Sequence, residues 1–302
     1  MSPTGAANVT EGTIGFRGHQ TWYQIVGDRS TTTGKLPLLV LHGGPGVSHD
    51  YLQDLAVLAD GDRAVVDYDQ LGCGRSDHPD DPALWVMNTF VDELANLRDA
   101  LRLEQVHLLG HSWGGWLALE YALRQPPGLA SLVLASTCAS LPAFAAETRR
   151  LKAQLPADVQ ATLDRHEADG TTDDDAYVEA SMAYYTQWVC RLQPFPDHVT
   201  SSFMNINEDV YGTMQGPEWN VNGNLKDWDV TSRLGELDLP VLVTSGRFDE
   251  MTPTVVQPLV AGIRGAEAVV FEHSAHLPSA EEPERFRSVI ESFFARAEGT
   301  GG

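Results

Sequence analysis

Basic residues are scarce. The chain of 302 residues carries 20 Lys and Arg against 42 Asp and Glu, a formal net charge of −22 at pH 7. Such a surface repels phosphate backbones and anionic membranes, which argues against both as partners and favours cationic ligands. Cysteine is scarcer still. Cys73, Cys138 and Cys190 are odd in number and far apart, so neither a disulfide framework nor a zinc cluster is expected, and the cytoplasm is the simplest location. No run is long and apolar enough to span a bilayer. The opening MSPTGAANVTEG has no basic patch followed by an apolar run, so no secretory signal is expected either. Internal repeats are absent.

What the chain does have is an alternation. EGTIGFRG and QTWYQIVG read as an opening hairpin. LPLLVLHGG, RAVVDYDQLG, QVHLLG and LASLVLAST read as buried strands. Between them lie DYLQDLAVLADG, TFVDELANLRDALRL and WGGWLALEYALRQ, with apolar residues at helical spacing. Asn88 or Thr89 can cap the second of these, and Pro126-Pro127 stops the third. Strands alternating with helices imply an α/β fold, with a mostly parallel sheet covered on both faces.

The rhythm breaks between about Pro142 and Ser232, where AETRRLKAQL, VQATLDRHEADG and DAYVEASMAYYTQWVCRL are helical and no strand is evident. Asp173-Asp174-Asp175 opens one of these helices, where carboxylates suit the positive end of the dipole. The rhythm resumes in LPVLVTSG, AEAVVFE and PERFRSVIESFFARA. The expected organisation is a core of residues 1–141 and 233–302, interrupted by a helical cap over 142–232. The first ten residues and the EGTGG tail read as loose.

GHSWGG, residues 110–115, stands between a strand and a helix. A nucleophile elbow needs small residues two before and two after its serine, because larger side chains would collide with neighbouring backbone. Ser112 therefore reads as a nucleophile, with a helix N-terminus behind it for developing negative charge. A serine hydroxyl needs a base, and the base needs a carboxylate, in the chain order Ser, acid, His. Asp249 is the first carboxylate after VLVTSG, with Glu250 as the alternative acid. His276 lies deeper in its loop than His273, and the two make only a weak metal pair. His107 reads as packed in its strand and His166 as lying on a solvated helix. The residue after the nucleophile, Trp113, supplies one oxyanion N–H, and the HGGPG loop, His42 to Gly46, supplies the second.

With these motifs assembled, the chain resembles the prolyl aminopeptidase group of α/β-hydrolases, which includes tricorn-associated aminopeptidases and bacterial L-amino-acid (proline) amidases. HGGPGVSHDYL, YDQLGCGRSD, GHSWGG, SGRFDEMTP and HSAHLP occur in the group's order over nearly the whole chain. The resemblance implies an α/β-hydrolase fold with a helical cap, Ser112 as nucleophile, Asp249 as acid, His276 as base, and Gly44 and Trp113 as oxyanion donors. In YGTMQGPEWNVNGNLKDWDVT, relatives carry one more residue between the Gly-Pro and a cap glutamate. With the gap placed there, Glu218 is the matching position, followed by Trp219 where relatives tend to have phenylalanine. Glu250 matches the second glutamate of the group and Tyr211 a tyrosine of the same pocket.

Two carboxylates at a fixed distance from Ser112 would bind a protonated α-amine and measure off one residue. The expected activity is removal of an N-terminal L-amino acid, proline favoured, from small peptides or amino-acid amides, without metal or organic cofactor. The partner is then a small molecule with a free N-terminus. An esterase or lactonase on the same triad is the rival enzyme reading. A non-catalytic ligand-binding protein on the hydrolase fold is the rival outside enzymes.

Overall fold

The computed structural model describes residues 8–28, 34–61 and 63–299. Eight strands form one sheet in the order β1-β2-β4-β3-β5-β6-β7-β8. They are β1 (Val9–Phe16), β2 (His19–Val26), β3 (Leu38–Leu41), β4 (Val65–Tyr68), β5 (Val106–His111), β6 (Leu129–Ala135), β7 (Val241–Gly246) and β8 (Glu267–Phe271). β1 pairs with β2 and β2 with β4 antiparallel, and every other pairing is parallel.

Strands β3, β4, β5 and β7 are buried at every position and mostly apolar, because both faces are covered. Leu39, Leu41, Leu108, Leu132, Leu134 and Val243 point into one core. Helices α1 (Met87–Ala100), α2 (Trp113–Ala122) and α8 (Pro253–Gly262) close that core with Phe90, Leu94, Trp116, Leu117 and Leu259. Their neighbours Leu38, Val40, Leu109, Val133 and Leu242 point into the other. The segment 49–61 and helix α10 (Pro283–Ala297) close it, with Leu52, Leu55, Ile290, Phe293 and Phe294. Helix α9 (Pro278–Glu281) leads into α10.

Between β6 and β7 run α3 (Leu141–Lys152), α4 (Ala157–Asp169), α5 (Asp175–Trp188), α6 (Asp197–Met204) and α7 (Glu208–Met214). Only an isolated bridge, Ser140 to Asp229, forms β pairing there among the described residues. α3 to α5 hold their own core of Leu151, Leu155, Leu163 and Tyr184, closed by Trp219. Asp174 caps α5 by accepting the Ala176 N–H at 2.9 Å.

The segment 49–61, read as helical, is a 3₁₀ helix. Other sequence expectations are corrected. α1 takes no side-chain cap: extended Val86 holds the cap position, Arg124 claims Asn88 at 2.7 Å and Arg17 claims Thr89 at 3.2 Å. His166 is buried, because the chain turns back after α4 through left-handed Gly170 and lays Thr171 on its ring at 2.8 Å. The opening segment is fixed from Val9, where β1 begins, while residues 1–7 lie outside the described residues.

At the other end, residues 300–302 lie outside the described residues, but Glu298 is anchored. Its carboxylate accepts from Arg63 at 2.8 Å, from the Leu36 N–H at 2.8 Å and from His107 at 3.0 Å. His107 is packed in its strand, its ring stacked on Phe294 at 4.2 Å. Burial alone would raise the Glu298 carboxyl. Its bonds from Arg63, Leu36 and His107 outweigh that and hold it down at about 2. The folded value lies below the unfolded one, so its contribution is full above the usual carboxylate range and lost as pH falls toward 2. Glu298→Ala leaves Arg63 and His107 buried without their anion, and is expected to cost on the order of 3 kcal/mol. Urea unfolding at pH 7 and pH 3 checks this: the gap between wild type and variant narrows at the lower pH.

Candidate active site

Ser112 sits at the junction of β5 and α2 with φ 55° and ψ −123°, a conformation costly for any residue with a side chain. The glycines around it are there for space. A Cβ on Gly110 would enter the backbone of Gly114, and one on Gly114 would enter the Leu41 carbonyl. The turn is held by the Ser112 N–H on the Ala135 carbonyl at 3.0 Å and by Thr137 Oγ1 donating to the Ser112 carbonyl at 2.8 Å. The N–H of Trp113 opens α2 directly behind the serine, where a helix leaves its amides without intrahelical acceptors.

The HGGPG loop follows β3 and is tied to the elbow through Gln70. The Gln70 N–H donates to His42 Nε2 at 3.0 Å, its amide Nε2 donates to the His42 carbonyl at 3.0 Å, and its Oε1 accepts from Trp113 Nε1 at 2.7 Å. Burial pushes the His42 ring down to about 4, so it stays neutral and can accept. Gly44 takes φ +114°, and a Cβ there would collide with the amides of Gly46 and Val47. Tyr51 makes a second tie. Its hydroxyl accepts the Gly43 N–H at 2.7 Å and donates to His111 Nδ1 at 2.7 Å, and His111 Nε2 donates to the His276 carbonyl at 2.8 Å. One relay thus joins the HGGPG loop to the histidine loop.

Asp249 follows β7 and His276 follows β8. His276 Nδ1 donates to Asp249 Oδ1 at 2.8 Å, and the same oxygen accepts the Met251 N–H at 2.8 Å. The end of α5 holds both loops: the Glu250 N–H donates to the Trp188 carbonyl at 3.1 Å and the His276 N–H to the Val189 carbonyl at 3.0 Å. Ser112, His276, Gly44, Glu218, Glu250 and Tyr211 line one cavity of about 390 Å³. Asp249 lies behind it, 2% exposed. The Trp113 side chain is wholly buried in the core, so only its backbone is available to the site.

The two glutamates come from opposite parts of the chain. Glu218 follows α7; its Oε1 accepts from Tyr211 at 2.9 Å, its Oε2 from Gln215 at 3.1 Å and its carbonyl from Thr148 of α3 at 2.9 Å. Glu250 Oε2 accepts from Tyr184 of α5 at 3.0 Å, and its Oε1 faces His276 Nε2 at 3.9 Å. Among the described residues, no group of three or more His, Cys, Asp or Glu side chains is placed to hold a metal ion.

Comparison with known proteins gives the family. The family profile described as the alpha/beta hydrolase fold matches residues 37–283. The proline iminopeptidase of Heyndrickxia coagulans is 43% identical over 286 residues, covering 94% of this chain and 98% of that protein. A proline iminopeptidase of Saccharolobus solfataricus is 37% identical over 95% of this chain and 92% of its own. The crystal structure of a Mycobacterium smegmatis proline iminopeptidase superposes with a TM-score of 0.88 at 40% identity, over 97% of this chain and 100% of that one. The chain belongs to the proline iminopeptidase family of α/β-hydrolases.

Within this family member, interacting titratable groups meet at the cavity. Burial raises both the Glu218 and Glu250 carboxyls, and the field of Glu218 raises Glu250 further. Burial alone would lower His276. The Asp249 carboxylate bonded to it, with Glu250 and Glu218 beyond, outweighs that and lifts it to about 9. Sequence reasoning missed Gln70, Tyr51, Tyr184, Gln215 and Thr148. It quoted His111 within GHSWGG without a role, although a histidine beside a nucleophile was a visible signal.

Proposed function

We propose that this family member is a serine hydrolase that releases an N-terminal L-amino acid, proline favoured, from small peptides or amino-acid amides. The observation that carries the reading is the pair of carboxylates, buried Glu250 and half-buried Glu218, in the cavity that also holds Ser112 and His276. A substrate ammonium binds between Glu218, Glu250 and Tyr211, which fixes the first carbonyl over Ser112. His276 takes the Ser112 proton at Nε2, while Asp249 holds its Nδ1–H and stabilises the imidazolium. The N–H groups of Gly44 and Trp113 receive the oxyanion. His276 then protonates the leaving amine, and water attacks the acyl-enzyme. The segment 142–232 acts as the cap that brings Glu218 over the nucleophile. The relatives' names, proline iminopeptidase, support the choice of residue and bond. Three buried free thiols support a reducing, cytoplasmic location. No helix among the described residues is long and apolar enough to cross a membrane.

The test is kcat/KM on L-prolinamide, proline β-naphthylamide and N-acetyl-prolinamide. Wild type is expected to prefer the two free amines strongly. Glu218→Gln is expected to lose about 30- to 1,000-fold on them, the equivalent of roughly 2–4 kcal/mol for unpairing a buried cation. Equal turnover of the acetylated amide by wild type would overturn the reading in favour of a general acyl hydrolase. The ratio of the amide to the naphthylamide separates amidase from aminopeptidase.

A further inference from the structure

Nε2 of His276 is the atom that must accept the Ser112 proton, yet it faces a carboxylate. Glu250 Oε1 lies 3.9 Å from Nε2, and Asp249 Oδ1 lies 2.8 Å from Nδ1. The imidazole stands between two carboxyl groups. The charged and titratable groups packed around it are all acidic or neutral. Asp249 and Glu250 come from the loop after β7, Glu218 from the segment after α7, and Glu281 from α9 through its bonds to the Ala275 and Leu277 N–H groups, while exposed Glu208 of α7 lines the same cavity. His111 from β5 meets its ring at 4.7 Å and is held neutral by burial. The phenols of Tyr177, Tyr185 and Tyr211 stay protonated. Among the described residues no lysine or arginine lines the cavity.

A buried cluster of carboxylates without a counter-cation takes up protons instead. We propose that the substrate-free enzyme holds one extra proton on the His276–Glu250 pair, and that the substrate's ammonium displaces it to solvent, leaving His276 neutral and able to take the Ser112 proton. The inference rests on the amine-binding reading above and adds a consequence. The ammonium is both what the glutamates recognise and what switches the base on. An ester or acylated amide brings no cation, so it meets an imidazolium that cannot accept a proton. Discrimination against such substrates is then built into the base, beyond any difference in binding. The raised value of His276, about 9, agrees with this arrangement. Protons balance: one enters solvent as the ammonium binds, and one passes from Ser112 Oγ to Nε2 and on to the leaving group.

The test uses Ser112→Ala titrated calorimetrically with L-prolinamide at pH 6.5, in buffers of different ionisation enthalpy. At that pH the ligand amine is already charged, so the expected result is release of about one proton per ligand bound. In kinetics, wild-type kcat/KM on p-nitrophenyl acetate should rise with pH through a limb near 9. Glu250→Gln should move that limb down and raise ester turnover at pH 7 about tenfold for each unit moved, while free-amine turnover falls. Amine-dependent binding with no proton release and an unmoved ester limb would overturn the switch and leave the amine reading standing. If N-acetyl-prolinamide binds Ser112→Ala as well as L-prolinamide does, the amine reading fails and the switch fails with it.

Discussion

Ser112→Ala is expected to lower kcat on proline β-naphthylamide by about 10⁵- to 10⁶-fold, and His276→Ala by a similar factor. The double variant should be little worse than either single one, because nucleophile and base act on the same proton and removing either removes the step. What remains is the contribution of the Gly44 and Trp113 N–H groups and of the cavity, which still hold a substrate carbonyl for attack by water. The variants should fold. Ser112 contributes its backbone to the elbow through the Ala135 and Thr137 bonds, and neither uses its hydroxyl. A fluorophosphonate gives a second readout: wild type should be labelled stoichiometrically and Ser112→Ala should not. Full folding, tight binding of an L-prolinamide ligand and no labelling of wild type would instead favour a ligand-binding protein on this fold.

Which parts were legible in the sequence follows from the range over which each signal acts. The central strands are mostly apolar runs, and the helices repeat at three and four residues, so their order could be read locally. The 3₁₀ segment at 49–61 was read as a helix without its type, because Tyr51, Leu52, Leu55 and Leu58 make the same apolar stripe in either winding. α6 and α7 span 8 and 7 residues, too few for a period to declare itself. The residue that starts α7 was readable: Asn207 accepts the N–H groups of Asp209 and Val210. Glu298 was misjudged because its partners, Leu36, Arg63 and His107, come from far earlier in the chain. A local reading sees only a polar residue near a terminus.

The site divides in the same way. Ser112, Asp249 and His276 each follow a strand at the same edge of the sheet, so strand pattern and chain order were enough to nominate them. Nothing in spacing announces Tyr184 of α5 against Glu250, or Thr148 of α3 against Glu218, whereas Gln215 stands only three residues before Glu218. The two long-range contacts exist because the helices between β6 and β7 pack on one another and on the loop after β7, and that geometry is tertiary. The electrostatic character of the cavity is tertiary too. A net charge of −22 foretells an acidic surface, but not that Glu218 and Glu250 share a buried space with His276.

Gly114→Ala is expected to be far more damaging than its helix-initiating position suggests. Alanine is ordinarily the better helix residue by about 1 kcal/mol. Here the added Cβ would lie within 2.7 Å of the His42 carbonyl and closer still to that of Leu41. Both are backbone atoms, so no rotamer change relieves the clash. Leu41 is also the residue that pairs with Gly110, so β3 cannot retreat without opening its ladder to β5. The first turn of α2 must move instead, carrying the Trp113 N–H away from the HGGPG loop. The expected cost is about 3–5 kcal/mol in urea unfolding. In the fraction that stays folded, kcat should fall at least about 100-fold, since displacements near 1 Å at a reacting group have that effect. Gly115→Ala differs in kind. Its Cβ would meet the Thr137 side chain, so Thr137→Ala should recover part of its stability, and the same second change should do nothing for Gly114→Ala. Gly15→Ala, on the exposed β1 strand with only Gln20 at 3.9 Å, is the control and should stay within about 0.5 kcal/mol of wild type. If Gly114→Ala also stays within that range with kcat intact, the elbow is not packed against β3 as tightly as these contacts require.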